Sequence, residues 1–196
     1  MKTVLSTAPT IFPISLEDAK DHLRLSGDAE DDYVQSLIYT AIDWAEQFTG
    51  RRLLTQTWKY YLDDWPEARD DGSYIRLPFG QLKSVTSVVY TDSDEDDTTW
   101  DSDEYIVDIE SEPGRVVLGY GYTWPSFTAS PSNPICITYV CGWTASASVP
   151  TNIKHAIKLM VTDLYNDRET MLFGNLKKLN TIENLLMPQI IHGVYP

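Results

Sequence analysis

Between Val34 and Phe48 the apolar positions return at steps of three and four: Val34, Leu37, Ile38, Ala41, Ile42, Ala45 and Phe48. That period places them on one face of an α-helix, with polar residues on the other. Asp28 stands where it can cap this helix, Glu30, Asp31 and Asp32 suit the positive end of its dipole, and Gly50 supplies the residue that stops it. A shorter helix is predicted in SLEDAKDHLRL. Ser15 is its N-cap, Asp18 a weak capping-box partner, Leu16, Ala19 and Leu23 its apolar face, and Gly27 its end. A third stripe follows Pro150, made of Ile153, Ala156, Ile157, Met160, Val161, Leu164 and Tyr165. A short last helix runs from about Leu176 to Met187 and stops before Pro188.

The middle of the chain has another rhythm. TWKYYLDDW, YIRL, SVTSVVY, YIVDI, GRVVL and ICITYVCGW are rich in β-branched and aromatic residues, and turn-forming stretches such as PFGQ and ESEP separate them. About six short strands with hairpin-like links imply an antiparallel sheet or small barrel. The order is therefore helices, strands, helices. Two striped helices at opposite ends of the chain each have a face to bury, and the obvious partner of each is the other. The expected fold is α+β: residues 1–52 and 150–196 form a small helical bundle, and 53–149 form an inserted antiparallel β module.

Composition narrows the classes of function. A chain of 196 residues with 42% hydrophobic content can build a real core. No apolar run approaches the ~20 residues that span a bilayer, and MKTVLSTAPTIFP has too short an apolar stretch for a secretory signal. A protein that folds in a cytoplasm is expected. Cys136 and Cys141 lie on one predicted strand, where five residues put them ~16 Å apart on opposite faces. Buried free thiols follow, in keeping with a reducing compartment.

The net charge is −14, divided as −6 over residues 1–50, −9 over 51–149 and +1 over 150–196. A surface this acidic should not grip duplex DNA, because affinity for phosphate rests on clustered Lys and Arg. The densest acidic run, YTDSDEDDTTWDSDEY at 90–105, can be tested as a calcium loop. Starting at Asp92, Asp94 and Asp96 fall correctly, but Asp97 occupies the glycine position and Asp103 the glutamate position. Its flanks also read as strands. A solvated hairpin tip that protects a sheet edge is the stronger reading.

Little else points to chemistry. His22, His155 and His192 have neither zinc spacing nor a nucleophile elbow nearby, and LPFGQ and LGYGYTW lack the phosphate-loop pattern. No catalytic residue, cofactor site or metal site is expected. Trp58, Tyr60, Tyr61, Trp65, Tyr120, Tyr122, Trp124 and Trp143 could line a sugar-binding face, although such residues more often fill a β core or an interface. A carbohydrate- or receptor-binding β module is accordingly the alternative reading.

ISLEDAKDHLRLSGDAEDDYVQSLIYTAIDWAEQFTGRRLLTQTW, then IRLPFGQLKSVTSVVY, YIVDIESEPGRVVL and VCGW, and finally VPTNIKHAIKLMVTDLYNDRE and IENLLMP resemble the tailed-bacteriophage head–tail connector (adaptor) family in order and over nearly the whole chain. The long acidic turn at 91–104 departs from the modest loop expected there. The resemblance implies a structural virion protein of the neck, made and assembled in the host cytoplasm. Its implied partners are the portal protein, a stopper or tail-completion protein, and further copies of itself in a ring, dodecameric in the virion. DNA would pass through that ring without specific binding, and no enzyme activity, cofactor or membrane is implied. The apolar tail PQIIHGVYP, residues 188–196, is then the expected portal-docking segment, with Ile190, Ile191, Val194 and Tyr195 as its contact residues.

One consequence is immediate. Leu37→Asp would bury a lone charge on the helical stripe. The cooperative thermal transition seen by circular dichroism should be lost; a melt as stable as wild type would contradict the stripe.

Overall fold

In the computed structural model of the chain, residues 1–66, 74–167 and 176–192 are described, with 176–180 given as backbone alone. The elements run β1 (Lys2–Thr7), α1 (Leu16–Leu23), α2 (Asp31–Thr49), β2 (Gln56–Leu62), β3 (Tyr74–Arg76), β4 (Leu82–Thr91), β5 (Asp97–Thr99), β6 (Tyr105–Asp108), β7 (Arg115–Leu118), β8 (Ile135–Cys141), α3 (Thr151–Asn166) and α4 (Leu176–Leu186). Two compact units result. One comprises residues 10–54 and 143–190, the other residues 1–9, 55–142 and 191–196.

The helical unit is held by the stripes. Val34, Leu37, Ile38, Ala41 and Ala45 of α2 share one buried cluster with Ile153, Ala156, Ile157 and Val161 of α3, and Ile182 and Leu186 of α4 join it. Full burial of a side chain such as Ile38, Ile153 or Ile157 contributes about 1.5–3 kcal/mol. Ser15 and Asp18 form a complete capping box on α1: the Asp18 amide donates to Ser15 Oγ at 3.0 Å, and the Ser15 amide donates back to Asp18 Oδ2 at 3.2 Å. The backbone hydrogen bond from Ser15 also holds the Asp18 carboxyl below its ordinary pKa.

Helix boundaries differ from expectation at two places. α1 ends at Arg24, which takes the left-handed conformation (φ 58°) three residues before Gly27. α2 is preceded by Glu30 rather than capped by Asp28, and no side chain caps it. In both cases the chain has to turn quickly into the next helix, and backbone bonds suffice: Leu25 N–H reaches the Lys20 carbonyl at 3.0 Å, and Asp31 N–H the Asp28 carbonyl at 3.2 Å. Gly50 does close α2 as expected, at φ 68°, a conformation that a Cβ would strain.

The other unit is antiparallel throughout. One sheet has the order β1-β2-β8-β4-β5, and a second has the order β3-β7-β6. β8 is central, and its residues alternate as the pleat requires: Ile135, Ile137, Tyr139 and Cys141 are buried, while Cys136, Thr138 and Val140 are half-buried. The thiols therefore lie on opposite faces and are not joined in a disulfide, and of the two only Cys141 is fully buried. Tyr139 donates its buried hydroxyl to the Pro78 carbonyl at 3.0 Å, fastening the LPFGQ turn to the core. The β6–β7 hairpin is locked by Asp108, which accepts from Ser111 Oγ at 2.6 Å and Arg115 Nε at 2.7 Å. Those two bonds hold its carboxyl far below the usual carboxylate range.

Two strands were not foreseen. β1 lies in the stretch assigned to the helical bundle, yet residues 1–9 belong to the sheet because Lys2–Leu5 pair in register with Trp58–Tyr61. β5 lies inside the acidic turn and pairs with the end of β4. Both are edge strands with little burial of their own, so neither carries a hydrophobic signature.

Gly114 follows the β6–β7 turn in close contact with Leu82. A methyl group built on it would overlap the Leu82 side chain at the start of β4. Gly114→Ala should destabilise the protein by about 1–3 kcal/mol, measured by chemical denaturation. Loss of less than a few tenths of a kcal/mol would show that Leu82 has room to move.

Candidate interface surfaces

The chain leaves α2 through a strongly tied corner. Glu46 accepts the Leu53 amide at 2.8 Å and faces Arg52 Nη1 at 3.5 Å, and Thr49 donates its hydroxyl to the Ala45 carbonyl at 2.7 Å. Arg51, only 6% exposed, lies over the Trp143 ring at 5.7 Å and donates from Nε to the Gln189 carbonyl. Asn152 donates to the Leu185 carbonyl at 2.8 Å. The last turn of α4 and the short 3-10 turn at Met187–Gln189 are thus pinned to the bundle by side chains from two separate parts of the sequence.

This corner sets where the expected docking tail begins. Ile190 is half-buried and its amide closes onto the Met187 carbonyl at 3.2 Å. Ile191 is 7% exposed, so in this chain it is an anchor rather than an open contact. His192 is exposed. Val194 and Tyr195 lie outside the described residues.

The acidic stretch is a hairpin. Asp92 Oδ1 accepts the amides of Asp94 and Asp96 at 2.9 and 3.0 Å, and Asp97 accepts the Thr91 hydroxyl at 2.6 Å. These bonds engage the Asp92 and Asp97 carboxylates in closing the turn, and strands flank it where a calcium loop of that type needs helices. Among the described residues, no group of three or more His, Cys, Asp or Glu side chains is placed to hold a metal ion. Likewise, no described helix is long and apolar enough to cross a membrane.

Most of the aromatics turn inward. Trp65 stacks on Trp124 at 5.1 Å and 12°, with Trp100, Tyr90 and Phe127 around it, and Trp58 lies 4.6 Å from Phe79. Trp143 packs with the helical core instead. Of the eight residues considered for a sugar face, only Tyr120 and Tyr122 are exposed. His22 and His155 meet edge-on at 6.4 Å, with Lys158 bonded to Asp18 nearby. Burial first, and then the charges of Lys158 and His155, lower the His22 pKa. The pair is a packing contact between α1 and α3.

A helical unit built from residues 10–54 and 143–190, and an antiparallel unit built from residues 1–9, 55–142 and 191–196, make this an α+β protein. Residues 13–108 match the model of the phage gp6-like head-tail connector proteins, and this match, with the likeness in fold to neck structures, supports a phage head–tail connector. It is a structural virion protein and not an enzyme. No curated protein matches the sequence.

Solved structures resemble it along its full length. A chain from the neck of an empty gene transfer agent particle, computed with C6 symmetry, superposes with a TM-score of 0.82 at 19% identity, covering 100% of this chain and 98% of the other. A chain from the neck of the native particle, computed with C12 symmetry, gives 0.79 at 17% identity with the same coverage. One from the native virion of a gene transfer agent gives 0.77 at 20%, again covering 100% and 98%. At such identities the likeness is one of fold.

The Arg51 tie can be measured. Arg51→Met keeps the bulk over Trp143 but removes the donor to Gln189. It should cost about 2 kcal/mol, the scale of a hydrogen bond to a charged group, and speed amide exchange at Ile190. Unchanged exchange there would mean that packing alone holds the segment.

Proposed function

We propose that the protein forms a ring in the neck of a phage-like particle, beneath the portal, and extends the DNA channel toward the stopper and tail. The observation that carries this is the whole-chain likeness in fold to neck proteins from particles computed with C6 and C12 symmetry. Twelve copies per ring is the number that likeness supports.

In this reading α2 and α3 are the rigid wedge of each subunit. Their shared core resists deformation because interiors pack at near-crystal density. Closed rings arise from head-to-tail contacts in which one patch meets a different patch on the neighbour. The acidic surface, with its net −14, suits a conduit through which a duplex must slide without being held. Segment 188–196 docks on the portal, with Ile191 as the buried root of the segment and Ile190, Val194 and Tyr195 as the contact residues.

Two measurements test the reading. Negative-stain images of the protein mixed with its cognate portal should show a second ring stacked on the portal; portals that stay bare at micromolar protein would refute the assignment. Removal of residues 188–196 should weaken portal capture at least about tenfold, equivalent to 1.4 kcal/mol. Capture equal to wild type would remove the docking role from the tail.

A further inference from the structure

β7 and β8 are joined by residues 119–134, GYGYTWPSFTASPSNP, and this stretch contains neither helix nor strand. Connections of that length with no structure of their own are uncommon inside a compact unit and usually serve a function. Its two ends are fixed. Gly119 N–H donates to the Glu104 carbonyl at 2.9 Å, and Tyr122 N–H closes a turn on the Gly119 carbonyl at 3.1 Å. Gly119 packs so closely there that a Cβ on it would meet the Glu104 carbonyl oxygen at 2.8 Å. At the other end Ser93 N–H reaches the Thr128 carbonyl at 2.8 Å, and Asp92 and Ala129 form a β-bridge. Between these ties, residues 123–127 make no hydrogen bond among the described residues.

Only aromatic contacts seat this middle part. Trp124 stacks on Trp65, lies 5.3 Å from Trp100, and is followed by Phe127, 4.9 Å from Tyr90. The seat has a defect. Trp100 donates its indole N–H to Glu104 Oε2 at 2.6 Å, but the indole N–H groups of Trp65 and Trp124 are both buried and neither meets an acceptor among the described residues. Buried donors are nearly always paired, and one without a partner loses as much as a stacked aromatic pair gains, or more. Here the two unpaired donors sit on the two rings that make the contact, so they offset most of what holds the segment down. Water would satisfy both, and lifting Trp124 off Trp65 admits it.

We propose that residues 123–127 are a strap that lifts from Trp65 as one piece, between the turn at 119–122 and the bridge at Ala129, while both sheets stay folded. Local opening of this kind belongs to segments with few hydrogen bonds and little packing. Seated, the strap covers Trp65; lifted, it bares Trp65, Trp124 and Phe127 together. It is therefore a cover, and an aromatic surface prone to association is presented only in the open state.

The test follows deuterium exchange of the indole protons by NMR in the full chain, with signals assigned through Trp65→Phe and Trp124→Phe. The Trp65 and Trp124 protons should exchange at one common rate, at least about tenfold faster than the bonded proton of Trp100, which global unfolding releases. Exchange of both as slow as that of Trp100, the result expected if a buried water satisfied a fixed pair, would overturn the proposal. So would fast exchange at only one of the two, because the strap would then not lift as a piece. Phe127→Ala removes the second contact of the strap and should raise both rates by the same factor, with a smaller change at Trp100. An equal rise at all three would place residues 123–127 in the global folding unit and also overturn it.

Discussion

The burial of α2 against α3 is the constraint on which the helical unit depends. The two stripes lie more than a hundred residues apart in the chain, and neither helix can hide its apolar face by itself. Once they pair, Leu54 and Trp143 must come together. They do so through a short parallel bridge, with Trp143 N–H on the Leu53 carbonyl at 3.3 Å. Everything between those residues is held at both ends, so the β segment leaves and re-enters the helical unit at one place. That is how a module of nearly ninety residues can be inserted without lengthening any loop of the bundle.

The same corner carries the polar stitching. Arg51 is a buried charge, and a buried charge is tolerated only where its donors and its face are satisfied. The Trp143 ring supplies the face and the Gln189 carbonyl an acceptor. The end of the 3-10 turn at Gln189 is thereby tied to the corner that follows α2.

Surface chemistry divides the labour differently from a catalytic protein. The Asp92 and Asp97 carboxylates close a turn, the two helical histidines pack against each other, and Trp65, Trp100 and Trp124 pack in a small sheet core. What remains exposed among the described residues is shape, charge and the two edge strands of the five-stranded sheet, β1 and β5. Those are the materials of assembly, in which affinity comes from repeated, geometrically matched contacts rather than from any single group.

The amino-acid sequence by itself determined the helices, the strand-rich middle and their order. Stripes such as Val34 to Phe48 and alternation such as Ile135 to Cys141 are local records of which side faces a core. It also determined the capping box of Ser15 and Asp18 and the stop at Gly50, because those depend on residues within a few positions. Only the tertiary structure decided what depends on distant partners. β1 is a strand because β2 is beside it, Ile191 is buried although its neighbours in sequence carry no signal, and Arg51 is an anchor because Trp143 and Gln189 arrive from elsewhere. Edge strands and buried anchors take their conformation from long-range pairing, which leaves no period along the chain to read.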